Sequence, residues 1–160
     1  MLKSTARLIR TLLDGERVLS LAVLVDGVPL AGLLPFVALD DYAGVMIHAS
    51  RLSRHTAGLA AGARAAVLLH EQDGRDKDPL QLKRASFECD VHPLEREGEA
   101  WTAGRERYLA RFPDSRITFR LRDFTLYRLE FRQGLLVAGF GRAMEIAPKD
   151  IARLATLGQS

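Results

Sequence analysis

The first third of the chain contains three apolar runs separated by very short turns, and this pattern restricts the fold to an antiparallel sheet. The runs cover residues 17–25, 28–39 and 45–49, and only Asp26-Gly27 separates the first two. Asp-Gly between apolar runs is a strong signal of a two-residue hairpin, because both positions accept a positive φ. Parallel neighbours would need a crossover of a dozen or more residues. The sequence therefore predicts an antiparallel meander.

The rest of the chain predicts further strands joined by turns, with helices beside them. We expect strands at residues 63–70, 81–91, 124–131 and 135–140, and helices at residues 4–14, 57–63, 98–112 and 149–157. Gln133-Gly134 is predicted to be a turn, and Pro35 to occupy a bulge or a sheet edge. Seven strands with short turns imply a mainly β (α+β) fold, an antiparallel closed or split β-barrel with flanking helices. The 160 residues show no linker, so one domain is expected over 1–160.

Composition and charge argue against several classes of function. The net charge is +3, from 23 basic and 20 acidic residues, and the basic residues are scattered among acids, so no nucleic-acid partner is expected. Cys89 is the only cysteine, which suits a reducing, cytoplasmic location. One cysteine and four dispersed histidines provide no metal-ligand spacing. No apolar run approaches the ~20 residues that cross a bilayer, so no membrane partner is expected.

The segment of residues 50–56 combines features that suggest an anion. Ser53 is placed to cap the predicted helix over 57–63, and Arg54 and His55 fall in its first turn. A helix N-terminus carries partial positive charge and disfavours cations. A phosphate bound at the free amides resolves this conflict. The sequence therefore predicts a phosphate-bearing ligand here.

Plainer interpretations stand beside this hypothesis. Arg54, His55 and Thr56 also suit an exposed polar turn, and His48 in an apolar strand suits a structural histidine with a partner. Cys89 is most simply a small buried residue. The glycines of Gly139-Phe140-Gly141 indicate either a tight turn or the close approach of another chain or ligand.

Residues 47–59, together with later segments in a consistent order, resemble the pyridoxamine-phosphate-oxidase-like FMN-binding split barrels, in the branch that contains the haem-utilisation proteins. Residues 47–59 follow the family pattern of a strand and then Ser-x-Leu-x-x-His-Thr-x-Asn-Leu, with Gly58 at the asparagine position. The other segments that carry the resemblance are residues 63–69, 78–84, 107–113, 123–129 and 139–143. Together they extend over most of residues 8–145.

The resemblance implies a homodimer with FMN in clefts at the subunit interface. It implies that Ser50, Arg54, His55 and Thr56 hold the phosphate. It also implies that main-chain groups of residues 33–36, including Leu34 and Pro35, lie along the flavin ring. The positions near the cofactor that it implies include Arg84, Gly141 and Arg142, from either subunit. No catalytic residue is identified, since the flavin itself carries the redox chemistry.

The implied function is a flavin-dependent oxidoreductase that acts on a small-molecule substrate or electron donor. Two alternatives stay open: haem degradation or storage, and flavin binding without turnover. The haem-utilisation proteins tend to ligate haem through a histidine near the C-terminus, and this chain has none after His92, which argues against that mode of ligation. The residues that recognise pyridoxamine phosphate are not evident, so that substrate is not expected.

Overall fold

The computed structural model describes residues 1–157, in which seven strands form one antiparallel sheet. The strands are β1 (Val18–Val25), β2 (Val28–Ala38), β3 (Gly44–Ser50), β4 (Arg64–His70), β5 (Arg84–Pro93), β6 (Phe124–Val137) and β7 (Ala143–Ile146). The helices are α1 (Lys3–Gly15), α2 (Glu99–Arg111), α3 (Arg116–Arg120), α4 (Pro148–Ile151) and α5 (Leu154–Leu157). No helix in this range is long and apolar enough to span a bilayer.

The sheet closes on itself through its first six strands. The order is β3-β2-β1-β4-β5-β6-β7, and β3 also pairs with β6. β7 extends the sheet beyond β6. The predicted antiparallel β-barrel with flanking helices is confirmed.

The predicted meander is present, and its first turn has the expected geometry. Val25 pairs with Val28, while Asp26 and Gly27 adopt φ values of 51° and 76°. Residues 28–35 of β2 pair with β1, and β2 pairs with β3 only from Phe36 onward. Pro35 therefore lies on a sheet edge, as predicted, where its missing N–H costs no ladder bond.

The predicted turn at Gln133-Gly134 and the separate strand over 135–140 are wrong. β6 continues through both residues to Val137, with a bulge that leaves Arg132 without a direct partner in the pairing to β5. A Cβ on Gly134 would lie 2.4 Å from the carbonyl oxygen of Ser86. Glycine at this position thus permits close packing beside a bulge. Glycine is found both in turns and at such close contacts, and this is why the sequence alone suggested a turn.

The two longer predicted helices agree with the structure, whereas α3 lies where the sequence predicts neither a helix nor a strand. α1 and α2 coincide closely with the predicted helices over 4–14 and 98–112. The predicted helix over 149–157 is instead two single-turn helices, α4 and α5, separated at residues 152–153.

Two apolar clusters hold these elements together. The barrel interior contains large fully buried side chains from most strands and from α1, among them Ile9, Leu21, Phe36, Ile47 and Phe87. A second cluster forms where α2 and α3 cover the outside of β2, β3 and β6, and it contains Val37, Met46, Tyr108, Phe119 and Leu126. This second cluster fixes the end of β3, from which the candidate site begins.

Candidate cofactor site

The segment after β3 forms a short 3₁₀ turn instead of the predicted helix. The turn covers Arg54–Gly58, and the predicted helix over 57–63 is absent because the chain reverses after Leu59 and enters β4. Ser53 occupies the N-cap position, but its side chain makes no capping bond. A Cβ on Gly58 would lie 2.7 Å from Cβ of Val23, so glycine at the family's asparagine position allows the turn to pack on β1. A five-residue turn has little dipole, so the prediction of an anion from the helix N-terminus loses its basis.

Hydrogen bonds to β3 and to the start of β6 fix the path of this turn. The Oγ of Ser50 donates to Oδ2 of Asp123 at 2.6 Å and accepts from the backbone N–H of Leu52 at 3.1 Å. The buried Thr56 donates from Oγ1 to the carbonyl oxygen of Ser50 at 2.7 Å. The backbone N–H of Arg51 donates to the carbonyl oxygen of Asp123. Both predicted phosphate-site hydroxyls are thus already engaged, and they shape the loop.

His55 and Arg54 are the members of the segment with unused polar groups. Nε2 of His55 is buried and has no hydrogen-bond partner within the described chain. A buried polar atom without a partner costs about 1–3 kcal/mol, so a movement of the turn that brings Nε2 to a ligand atom is favoured. Burial also lowers the pKa of His55 below its ordinary value, which favours the neutral ring. Arg54 is exposed and makes no ion pair with any residue in 1–157.

The His55 ring lies against β2 at a position where no side chain fits. A Cβ on Gly32 would lie 2.8 Å from Nδ1 of His55. Gly32 therefore brings the strand backbone directly to the ring. An isolated glycine in a strand is a known sign of close backbone approach, and this signal in the sequence could have identified the position.

β2 presents an open backbone edge next to this ring. Residues 28–35 pair with β1 alone, because β3 pairs only with residues 36–38. Phe36 donates its N–H to the carbonyl oxygen of Arg17, which fixes the alternation of ladder bonds along β2. By that alternation, the main-chain groups of Ala31 and Leu33 point away from β1, while those of Leu34 pair with Leu19. The free N–H groups at this edge are therefore those of residues 31 and 33.

The predicted ring-side residues occupy different environments. Leu34 is buried in the barrel core. Pro35 is exposed, and its carbonyl oxygen lies 3.5 Å from the hydroxyl of Tyr108. Leu33, whose side chain is 70% exposed, borders the open edge directly.

Arg84, Gly141 and Arg142 lie at the other end of the barrel from Ser50. Ser50 pairs with Phe124 at the start of β6, whereas Arg84 pairs with Val137 at its end, about 40 Å along the strand at ~3.3 Å per residue. The guanidinium of Arg84 donates to the carbonyl oxygens of Leu80 and Leu82. Arg142 donates to the carbonyl oxygen of Ala138, and Gly141 turns the chain with a φ of 70°. One chain therefore does not bring these residues to the 50–58 segment.

The structural interpretations of His48 and Cys89 are supported by their surroundings. His48 stacks on Phe119 with ring centroids 3.9 Å apart, and its Nδ1 lies 3.3 Å from the hydroxyl of Thr118. Burial, with a smaller effect from Arg96, lowers the pKa of His48 to about 4. Burial raises the pKa of Cys89 to about 12, so its thiol is unreactive at neutral pH.

Comparison with known proteins connects this geometry to a family. Residues 6–138 match the family model described as pyridoxamine 5'-phosphate oxidase. The heme oxygenase HutZ of Vibrio cholerae is 28% identical over 127 residues, which cover 79% of this chain and 71% of that protein.

Solved structures show the same architecture. The structure of the heme storage protein HutZ from Vibrio cholerae superposes with a TM-score of 0.73 at 25% identity, and the match covers 87% of this chain and 96% of that chain. A heme binding protein from Mycobacterium smegmatis superposes with a TM-score of 0.81 at 23% identity. That match covers 92% of this chain but only 59% of the mycobacterial chain, and at this identity it shows the fold alone.

Proposed function

The chain belongs to the pyridoxamine 5'-phosphate oxidase family, and from that premise we propose that it binds FMN and acts as a flavin-dependent oxidoreductase on a small-molecule substrate. The observation that carries the proposal is the buried Nε2 of His55, which has no partner within the described chain. The family binds flavin in general, and FMN supplies a phosphate that can accept a hydrogen bond from this ring. The residues present therefore fit such a cofactor.

The residues of the segment divide the binding task between them. Arg54 supplies the uncommitted positive charge, and His55 supplies the uncommitted ring nitrogen. Ser50 and Thr56 hold the loop in place through Asp123 and the Ser50 carbonyl oxygen. The free N–H groups of Ala31 and Leu33 provide donors for the polar edge of the flavin ring, whose redox chemistry is the cofactor's own.

We propose in addition that the protein is a homodimer with the cofactor at the interface. The outer face of β2, β1 and β4 exposes Leu33, Leu24 and Leu68 at 70%, 64% and 38%. Contiguous exposed apolar surface on a sheet marks an interaction site. We propose that the distant Arg84 and Arg142 approach the cofactor held by the other subunit. The lone buried Cys89 suits the reducing cytoplasm that this proposal assumes.

The binding proposal is tested by titrating the purified apoprotein with FMN and following the quenching of flavin fluorescence. Arg54→Glu is expected to raise the dissociation constant by about 10- to 150-fold, because charge-assisted hydrogen bonds contribute roughly 1.5–3 kcal/mol. Arg116→Glu, on the exposed surface of α3, is the matched charge reversal and should bind as the parent does. Equal affinity of the Arg54→Glu variant and the parent would overturn the assignment.

The oxidoreductase part of the proposal needs its own measurement. Anaerobic addition of reduced nicotinamide to the FMN-loaded protein should bleach the flavin absorption. If the flavin in the FMN-loaded protein stays oxidised with NADH and with NADPH, the protein binds flavin but does not accept electrons from these donors. Mass spectrometry of the molecule that co-purifies identifies the cofactor directly.

Haem handling is the second candidate, and the relatives favour it. One matching relative is named a heme oxygenase, and a similar solved structure is named a heme storage protein. A Soret band that appears and saturates on titration with haemin would support this function. Its absence at micromolar protein and haemin would exclude it.

A further inference from the structure

A groove of about 510 Å³ lies between α2 and α3. Its lining consists of three arginines, one carboxylate and two apolar side chains: Arg105, Glu106, Leu109, Ala110, Arg116 and Arg120. None of these residues belongs to the segment of residues 50–58, to the open edge of β2 or to the face proposed for the dimer. The groove therefore needs an explanation of its own.

The three arginines of the groove carry positive charge that no carboxylate in residues 1–157 pairs with. On the sheet, by contrast, Arg64 pairs with Asp90 at 3.1 Å between Nε and Oδ1. Arg116 and Arg120 lie one turn apart on α3, where two like charges repel each other. An anion bound in the groove would offset this repulsion.

Contacts on its inner side hold α3 in a fixed position. Phe119 is buried in the second apolar cluster, and Arg96 donates to the carbonyl oxygens of Phe119 at 2.7 Å and of Leu121 at 3.0 Å. These bonds occupy carbonyl groups at the C-terminal end of the helix. Arg116 and Arg120 are exposed, with about 5–6 Å between their Cβ atoms. The helix therefore presents both guanidiniums to one small ligand from a rigid base.

Arg105 lines the same groove from α2. Its guanidinium carbon lies 5.9 Å from the ring centroid of Trp101 and 5.8 Å from that of Phe119. Aromatic rings attract the cation and so restrict the side chain without using its hydrogen-bond donors. Within residues 1–157 the guanidinium donates no hydrogen bond, so its five N–H groups are available to a ligand.

We propose that this groove binds a ligand with two or more linked phosphate groups, either a free polyphosphate or the phosphate chain of a nucleotide. Arginine suits phosphate because its planar fork donates two parallel hydrogen bonds to phosphate oxygens. Linked phosphates also bring several negative charges close together, to match the three guanidiniums. Glu106 repels any anion, so a ligand with a single charge would gain little. Leu109 and Ala110 leave apolar surface for the organic part of a nucleotide.

The experiment is isothermal titration calorimetry of the full chain with sodium triphosphate, in a buffer without phosphate or divalent cations. Saturable binding is expected, and orthophosphate should bind at least about tenfold more weakly because it engages fewer guanidiniums. Arg116→Glu and Arg120→Glu should each raise the dissociation constant for triphosphate about tenfold or more, since a charge-assisted hydrogen bond is lost and a repulsion is added. Glu106→Gln should lower it by about two- to fivefold, because a repulsion is removed.

Arg153→Glu is the matched control, since Arg153 is an exposed arginine between α4 and α5 that makes no ion pair within residues 1–157. This variant changes the net charge by the same amount as Arg116→Glu and should bind triphosphate as the parent does. Thermal unfolding of every variant should match that of the parent, because the substituted side chains are all exposed.

Several results would overturn the proposal. Triphosphate that shows no saturable binding at millimolar concentration would exclude the site, as would equal affinity of the Arg116→Glu variant and the parent. Orthophosphate that binds as tightly as triphosphate would refute the requirement for linked phosphates. An equal loss in the Arg153→Glu variant would show that the anion responds to net charge alone.

Two further titrations identify the source of the phosphates and separate this site from the cofactor site. Tighter binding of ATP than of triphosphate would identify a nucleotide as the ligand, and equal or weaker binding of ATP a free polyphosphate. Saturating FMN should leave the triphosphate affinity unchanged, whereas competition would place the anion at residues 50–58 and overturn the assignment. A chain that binds triphosphate through Arg116 but does not bind FMN would leave this site standing while the proposed flavin function fails.

Discussion

Acidification below pH 6.5 should destabilise the protein through His48 in particular. In the native state His48 is only 7% exposed, and burial and then Arg96 lower its pKa from 6.5 to about 4, against the opposing effect of Asp123. At pH values between these two pKa values, His48 is protonated in the unfolded chain and neutral in the native state. The free energy of unfolding therefore falls as the pH drops from 6.5 to 4, by about 3 kcal/mol in total at ~1.4 kcal/mol per unit of pKa.

The measurement is urea unfolding at several pH values between 7.5 and 4.5, followed by the fluorescence of Trp101. This residue reports on the right region because its ring centroid lies 5.9 Å from that of Phe119, on which His48 stacks. His48→Gln keeps a polar group for Thr118 but cannot titrate. Between pH 6 and 4.5 the parent should lose up to about 1.4 kcal/mol per pH unit more than the variant.

The comparison isolates His48 because carboxylates also titrate in this range. Glu71 and Asp90, for example, have their pKa values lowered by hydrogen bonds from Lys77 and Arg132, and these effects are common to both proteins. Parallel pH profiles for the parent and the His48→Gln variant would refute the reasoning. They would mean that the native state accepts the proton by rearranging α3.

Three further changes test the geometry around the candidate site. Gly58→Ala should cost about 1–3 kcal/mol in urea unfolding, since its Cβ meets β1, whereas Gly15→Ala, with nothing within 4 Å, should cost far less; equal costs would contradict the packing argument. Ser50→Ala should cost about 1–3 kcal/mol and weaken FMN binding, because it leaves the carboxylate of Asp123 unpaired; unchanged stability would show that this bond adds nothing. Leu24→Asp with Leu33→Asp should convert dimers to monomers in analytical ultracentrifugation, and a persistent dimer would exclude this face as the interface.

The architecture was largely predictable because its signals are local. The Asp26-Gly27 hairpin depends on two residues that accept positive φ, and α1 and α2 follow from apolar spacing within each segment. The predictions from sequence were wrong where contact with a distant strand determined the local secondary structure. Gly134 looks like a turn in sequence, but the backbone of β5 beside it makes it part of a continuous strand.

In the candidate site, too, local sequence determined some features of single side chains and tertiary contacts determined others. The sequence singled out residues 50–56 and placed hydroxyls and cations together there, because residue types and spacing are local properties. Only the tertiary structure decided which of those groups are free. Asp123, 73 positions from Ser50, occupies its hydroxyl, and the carbonyl of Ser50 occupies that of Thr56. His55 meets Gly32 of another strand and keeps Nε2 without a partner, since a hydrogen-bond inventory depends on neighbours that only folding brings together.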